Sequence, residues 1–170
     1  MKVRRRITVR VFFDQDGTLA EFRYVPLEEL YVPGYFLSLG AHRNVISAMK
    51  LLMDMPGTEV YALTSVLKDH PTARDEKLKW FKKYTPFLPE ERIIFSSCGR
   101  KKADYVKDLD IKKDILVDDF GENIRSWPAC CVKVSMDPED MRKEMLKHAY
   151  CINPDMSAED IVREILSSLK

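Results

Sequence analysis

No charge of one sign dominates this chain: 28 Lys and Arg stand against 27 Asp and Glu over 170 residues, a formal net charge of +1. So balanced a composition gives no global field to recruit a nucleic acid polymer or an anionic membrane surface. No apolar run approaches the roughly 20 residues that a membrane-spanning helix needs. The basic start, Met1 to Arg6, is not followed by the uninterrupted apolar stretch and small-residue cleavage site of a secretory signal. Its run Arg4-Arg5-Arg6 reads as a solvated flank of the first strand. The four cysteines, Cys98, Cys130, Cys131 and Cys151, form no C-x-x-C pair, and His42, His70 and His148 lie far apart, so zinc-ligand spacing is missing. With no export signal, reduced cysteines in a cytoplasm are the expectation. Repeats, low-complexity tracts and linkers are also absent. What is present, 45% hydrophobic and 32% charged residues, suits one soluble domain over residues 1–170 with a single sizeable core.

Apolar runs alternate with helical patterns. Strands are expected at Val9–Phe13, Glu59–Leu63, Arg92–Phe95, Asp114–Val117 and Cys131–Val134. Helices are expected at Asn44–Met53, at Ala73–Tyr84 with Leu78, Trp80 and Phe81 facing the core, at Lys102–Leu109, and at Ala158–Leu169 with Ser157 as its cap. Such alternation predicts a Rossmann-like, three-layer α/β/α fold with a mainly parallel sheet. In open sheets of this kind the site lies beyond the carboxyl ends of the strands, at a topological switch point. Polar residues gather at those ends: Asp14 and Asp16 after the first strand, Thr64 and Ser65 after the second, Asp118 and Asp119 after the fourth.

Asp14-Gln15-Asp16-Gly17-Thr18 is the most informative segment. Two carboxylates two residues apart, at a strand end closed by glycine, can face one cavity, and holding them there is costly without a cation. Magnesium suits, because it takes hard oxygen ligands and keeps positions for water and a phosphate oxygen. Asp118 and Asp119 would complete its site from a neighbouring strand. Thr64 or Ser65 can donate to a phosphate, and Lys102 can offset its charge. Those are the parts phosphoryl transfer requires. A receiver domain uses similar parts, but there the acidic pair precedes the phosphorylated aspartate, the reverse of the order here.

The ordered set, D-x-D-G-T, then Thr/Ser, then Lys, then an acidic pair, resembles the haloacid dehalogenase-like superfamily. Within it the chain is similar to the 5′(3′)-deoxyribonucleotidases, on the segments Phe12–Phe22, Pro33–Leu39, Met53–Lys68, Glu76–Phe95 and Ile115–Phe120. The resemblance implies a magnesium-dependent phosphoric monoester hydrolase working through an aspartyl phosphate. Carried over by position, Asp14 would be nucleophile and metal ligand, and Asp16 the general acid/base, ligating through its backbone carbonyl. Thr64 and Lys102 would bind phosphate, with Lys101 competing for the lysine position. One or both of Asp118 and Asp119 would ligate the metal. Phe22, Tyr31 and Phe36 match aromatic positions near the family's nucleoside, so a nucleoside monophosphate is the implied substrate. Other readings are a phosphatase of another small phosphorylated metabolite and a catalytically weak phosphate-binding module. Family members carry a helical cap between the first motif and the Pro-Gly-aromatic segment. Here only the short segment 23–33 stands there, so the cap is minimal or absent. Either the site stays open, or the segment's aromatics pack against a second copy in a homo-oligomer.

Overall fold

The computed structural model describes residues 8–170, so the Arg4–Arg6 run falls outside the described residues. Six strands, β1 (Val9–Phe13), β2 (Thr58–Val66), β3 (Ile93–Ser97), β4 (Asp114–Asp118), β5 (Cys130–Val134) and β6 (Cys151–Ile152), make one sheet of order β3-β2-β1-β4-β5-β6. Every neighbouring pair is parallel. The expected Rossmann-like α/β fold is therefore the observed one. From β1 the chain steps outward through β2 and β3, then returns to place β4 on the other side of β1. The switch point lies between β1 and β4, and both strands end in carboxylates there.

Alternation along the central strands separates two faces. Val11 and Phe13 of β1, Val60 and Ala62 of β2, and Ile115 and Val117 of β4 face the larger core. That face is covered by α3 (Arg43–Asp54), α4 (Ala73–Tyr84) and α7 (Ala158–Ser167). Phe12, Leu63 and Leu116 point the other way, toward Val106 and Trp127. The buried residues of α3, Val45, Ile46, Ala48, Met49 and Leu52, recur at the spacing of one helical face. Ser157 caps α7 as expected, its Oγ accepting from the Asp160 N–H at 3.1 Å.

Several elements differ from the sequence expectation. β2 continues through Thr64 and Ser65, which pair with Phe95 and Ser96 of β3. The expected helix over Lys102–Leu109 is only a 3-10 turn, Lys102–Tyr105. The turn ends where Val106 becomes extended, and Asp108, at φ 51°, bars a helical continuation. On α4 the buried face is Ala73, Glu76, Lys77, Trp80 and Phe81, with Leu78 only half-buried. Six short elements lie outside the expectation: α1 (Leu27–Leu30), α2 (Tyr35–Ser38), a 3-10 turn at Glu90–Arg92 that takes Arg92 out of the expected strand, α5 (Gly121–Ser126), α6 (Pro138–Met145) and β6. Among the described residues no helix is long and apolar enough to cross a membrane.

β1 and β4 are also tied at their amino ends. Arg10 grips the fully buried Asp114 with Nε at 2.8 Å and Nη2 at 2.5 Å, and donates to the carbonyls of Lys107 and Asp108. Replacing Arg10 by Met leaves the buried Asp114 carboxylate with the Asp110 N–H as its remaining partner among the described residues, a change that destabilises by about 2–3 kcal/mol for an ion pair whose arginine is partly solvated. Urea unfolding of Arg10→Met should show that loss with an unchanged m-value, and a midpoint equal to wild type would contradict it.

Candidate active site

β1 delivers Asp14 into the switch point by extending its ladder one step: the Asp14 N–H donates to the Val117 carbonyl at 2.9 Å. The chain then folds back tightly. The Gln15 carbonyl accepts from the N–H groups of Thr18, Leu19 and Ala20, at 3.1, 3.0 and 2.8 Å. Gly17 sits at φ 83° inside this turn, and a Cβ there would overlap the Asp119 carboxylate. Glycine is thus needed twice, for its backbone conformation and for the room it leaves a carboxylate from the neighbouring strand end.

The carboxylates converge as expected. Asp14, Asp118 and Asp119 each offer an oxygen, and these lie within 4.8 Å of one another. Lys102 reaches between the first two, with its Nζ 2.5 Å from Asp14 Oδ1 and 2.7 Å from Asp118 Oδ2. The two aspartates of β4 are not equivalent. Asp118 is fully committed: Oδ1 accepts from the Phe120 N–H at 2.8 Å, and Oδ2 accepts from Lys102 and from Asn123 Nδ2 at 2.9 Å. Asp119 lines the cavity instead, while Lys133 donates to its backbone carbonyl.

Thr64 and Ser65 also separate. Thr64 is fully buried, accepting from Lys77 at 3.0 Å and donating to Gln15 Oε1 at 3.4 Å. Ser65 lines the cavity, with its hydroxyl 2.9 Å from that of Ser96. Phe22 is on the cavity wall as well, but Lys102 lies beneath the floor rather than on it. Three residues outside the sequence-based set complete the arrangement. Asn123 and Lys133 hold Asp118 and Asp119. Lys77, buried on α4, forms an ion pair with Asp16 Oδ2. Lys77 was legible in principle, because spacing on α4 puts it on the same face as Trp80 and Phe81.

The cavity holds about 450 Å³, with Asp14, Asp16 and Asp119 among its lining residues. One side is a strap formed by residues 22–36, which contributes Phe22, Tyr24, Leu30 and Phe36. Tyr31 does not reach the cavity: its ring stacks on His70 at 5.1 Å and its hydroxyl donates to the Lys68 carbonyl. His70 Nδ1 accepts from the N–H groups of Thr72 and Ala73, which leaves Nε2–H to donate to the Leu30 carbonyl at 2.8 Å. Glu76 fixes the far end, accepting from the Gly34 and Phe36 N–H groups at 2.8 and 3.1 Å.

Such crowding of acids leaves an electrostatic mark. Burial, then the charges of Asp14 and Asp118, push the Asp119 carboxyl up to about 8. Burial raises Asp118 to about 6, with Lys102 opposing and Asp14 reinforcing it. Burial also raises Asp16, against the pull of Lys77. The two buried lysines do not compensate all four acids. That deficit of positive charge, together with a donor set of hard oxygens, fits a divalent cation such as magnesium.

A parallel sheet with this switch point, and acids in this order at the ends of β1 and β4, defines a haloacid dehalogenase-like hydrolase. Residues 22–149 match the sequence profile of the 5' nucleotidase, deoxy (Pyrimidine), cytosolic type C family, and the chain belongs to that family of phosphoric monoester hydrolases. The match begins after the first carboxylate pair. The human 5'(3')-deoxyribonucleotidase, cytosolic type, is 26% identical over 209 aligned positions, covering 95% of this chain and 94% of the relative. An alignment longer than the 170 residues of this chain means that the relative carries insertions that this chain lacks.

The raised carboxyl of Asp119 sets a pH trend. A group lifted in the folded state from 3.8 to about 8 contributes stability below its ordinary value and loses it as pH rises toward 8. Without divalent cations, Tm should fall as pH rises through that window. Added magnesium should raise Tm most at the alkaline end, where it meets ionised acids, and little at the acidic end. Thermal unfolding across pH, with and without magnesium, tests this; a magnesium increment independent of pH would oppose it.

Proposed function

We propose that the protein is a magnesium-dependent nucleotidase that hydrolyses a (deoxy)nucleoside monophosphate through an aspartyl phosphate on Asp14. The observation that supports this most is Asp14 itself. It stands at the end of β1 in a cavity floor, paired at 2.5 Å with a buried lysine, with the second carboxylate of Asp16 two residues on. A carboxylate so placed is oriented for in-line attack on phosphorus.

In the first step an Asp14 oxygen bonds to phosphorus as the bond to the nucleoside oxygen breaks. Asp16 gives its proton to that leaving oxygen. In the second step water attacks the phosphoryl group, Asp16 takes the water's proton, and the Asp14–phosphorus bond breaks to release inorganic phosphate. Burial favours the protonated form of Asp16 that the first step needs. Asp14 and Asp119, with the Asp16 backbone carbonyl, would hold the magnesium, which offsets the repulsion between nucleophile and phosphate. Asp118, with both oxygens engaged, closes the cluster and aims Lys102 at Asp14. Ser65 is the hydroxyl placed to meet the phosphate. Thr64 supports it from beneath the floor.

The nucleotide reading draws on the family and on the strap. Segment 23–33 takes the place of a cap, and its neighbours Phe22 and Phe36 give the cavity an apolar wall suited to a nucleoside. The human relative's name points to deoxyribonucleotides, and that substrate class is proposed for this chain.

Asp14→Asn keeps the shape but removes the nucleophile, so kcat should fall by several powers of ten, on the order of 10⁴ or more. Chelation of magnesium should abolish wild-type turnover. Steady-state assays with thymidine, uridine and guanosine monophosphates beside sugar phosphates test both the chemistry and the substrate. Near-normal magnesium-dependent turnover by Asp14→Asn would rule out the mechanism. A sugar phosphate preferred over every nucleotide would rule out the substrate class.

A further inference from the structure

We propose that Lys77 is a positioning residue of the reaction: its buried ammonium ties the Asp16 carboxylate to the Thr64 hydroxyl, and the strap residue Phe36 is part of that mount. The inference rests on the acid/base reading of Asp16 and goes beyond it to the residue that holds that acid.

Among the described residues, Lys77 and Lys102 are the two lysines buried in the protein, each 1% exposed. An ammonium removed from water is costly unless its donors are used. Those of Lys102 go to Asp14 and Asp118, so it belongs to the nucleophile and the cation cluster. Those of Lys77 go elsewhere: to Asp16 Oδ2, and to Thr64 Oγ1 at 3.0 Å. On the remaining side Nζ lies 4.6 Å from the centre of the Phe36 ring, a cation–π contact that accepts the charge where no oxygen is offered. The two lysines therefore divide the site. One serves the carboxylate that attacks phosphorus, the other the carboxylate that moves the proton.

Position on the helix supports a functional reason for Lys77. Ala73, Trp80 and Phe81 share its face, where an apolar side chain would pack at no electrostatic cost. A charge that breaks the local pattern without any evident gain in packing marks a functional constraint. Its neighbour Glu76 breaks the same pattern and holds the N–H groups of Gly34 and Phe36. One turn of α4 thus grips the strap with one side chain and the acid with the next. Asp16 makes no other hydrogen bond among the described residues, its Oδ1 being buried without a partner. Lys77 is then what fixes the Asp16 carboxylate relative to the phosphate-facing end of β2.

If Lys77 acts through Asp16, its loss should follow the leaving group. Lys77→Met keeps length and burial but removes the charge and the donors. Its kcat/KM should fall by about a hundredfold for a nucleoside 5′-monophosphate, whose leaving oxygen needs a proton. For p-nitrophenyl phosphate, whose leaving group needs none, the fall should be less than tenfold. In the double variant with Asp16→Asn, Lys77→Met should add no further leaving-group dependence, because the group it positions is gone. Equal losses on both substrates, or multiplying effects in the double variant, would overturn the proposal. Should Lys77→Met not fold, Lys77→Gln, which retains an amide donor, carries the same comparison. Asp16→Asn alone separates the two ideas. If it shows no leaving-group dependence, the acid/base reading fails; if it does and the Lys77 variants do not, only the positioning role fails.

Discussion

Four carboxylates crowd the carboxyl ends of two adjacent strands, and the architecture around them follows from keeping them there. Like charges withdrawn from water repel and lose hydration, so an acid in such a place must be paired, protonated or bound to a cation. Pairing is distributed unevenly among the four. Asp118 is satisfied by a lysine, an asparagine and a backbone N–H. Asp14 shares that lysine, and Asp16 has a lysine of its own. Among the described residues Asp119 has no such side-chain partner, and burial with the neighbouring acids pushes its carboxyl up to about 8. Asp119, the least compensated member, lines the cavity together with Asp14 and Asp16, whereas the fully paired Asp118 does not.

That constraint reaches outward into local structure. Gly17 is required because the Asp119 carboxylate occupies the space a side chain would take. The 3-10 turn at Lys102–Tyr105 replaces a helix where Lys102 turns inward to reach β1 and β4. The face of α4 gives two core positions to Glu76 and Lys77. Each feature departs from local propensity in a segment that touches the cluster. The interiors of β1, β4 and α3, away from it, follow their patterns closely.

The same division explains what the sequence could tell. The first strand and its D-x-D-G-T end were legible because a tight turn that brings two carboxylates to a strand end needs those residue types at fixed spacing on one short segment, and the acidic pair because it closes another apolar run. The parallel fold followed from alternation alone. That Ser65 lines the cavity while Thr64 is buried depends on the continuation of β2 through both residues, since successive residues of a strand face opposite ways. Lys77 was obscured by Leu78, an apolar neighbour that takes its place beside Trp80 and Phe81 in the sequence pattern but is only half-buried, while Lys77 is on the buried face. The length of the strap was plain from the spacing of Phe22 and Pro33. Its path was not, because it depends on hydrogen bonds to His70, in the loop before α4, and to Glu76 on α4, some 40 residues later. Short elements such as α1 and β6 have too few residues to establish a period.

The strap bears on how finely such a site can select. A base is rejected strongly only when buried polar groups built to meet its edge are left unpaired by the wrong one. Around this cavity the polar side chains are largely committed already. Ser65 pairs with Ser96, Asn123 with Asp118, and Glu122 with Arg125. Arg100 and Lys101, exposed beside them, are a fork and a point charge respectively, suited to phosphate oxygens rather than to one base edge. What the strap adds is apolar surface from Phe22, Tyr24, Leu30 and Phe36. Apolar contacts discriminate by size and shape, at about 1–3 kcal/mol for a missing or extra group. On the proposed function, a site so built would commit its electrostatics to the phosphate and leave the rest of the substrate to packing, which would favour a broad set of monophosphates over a single base.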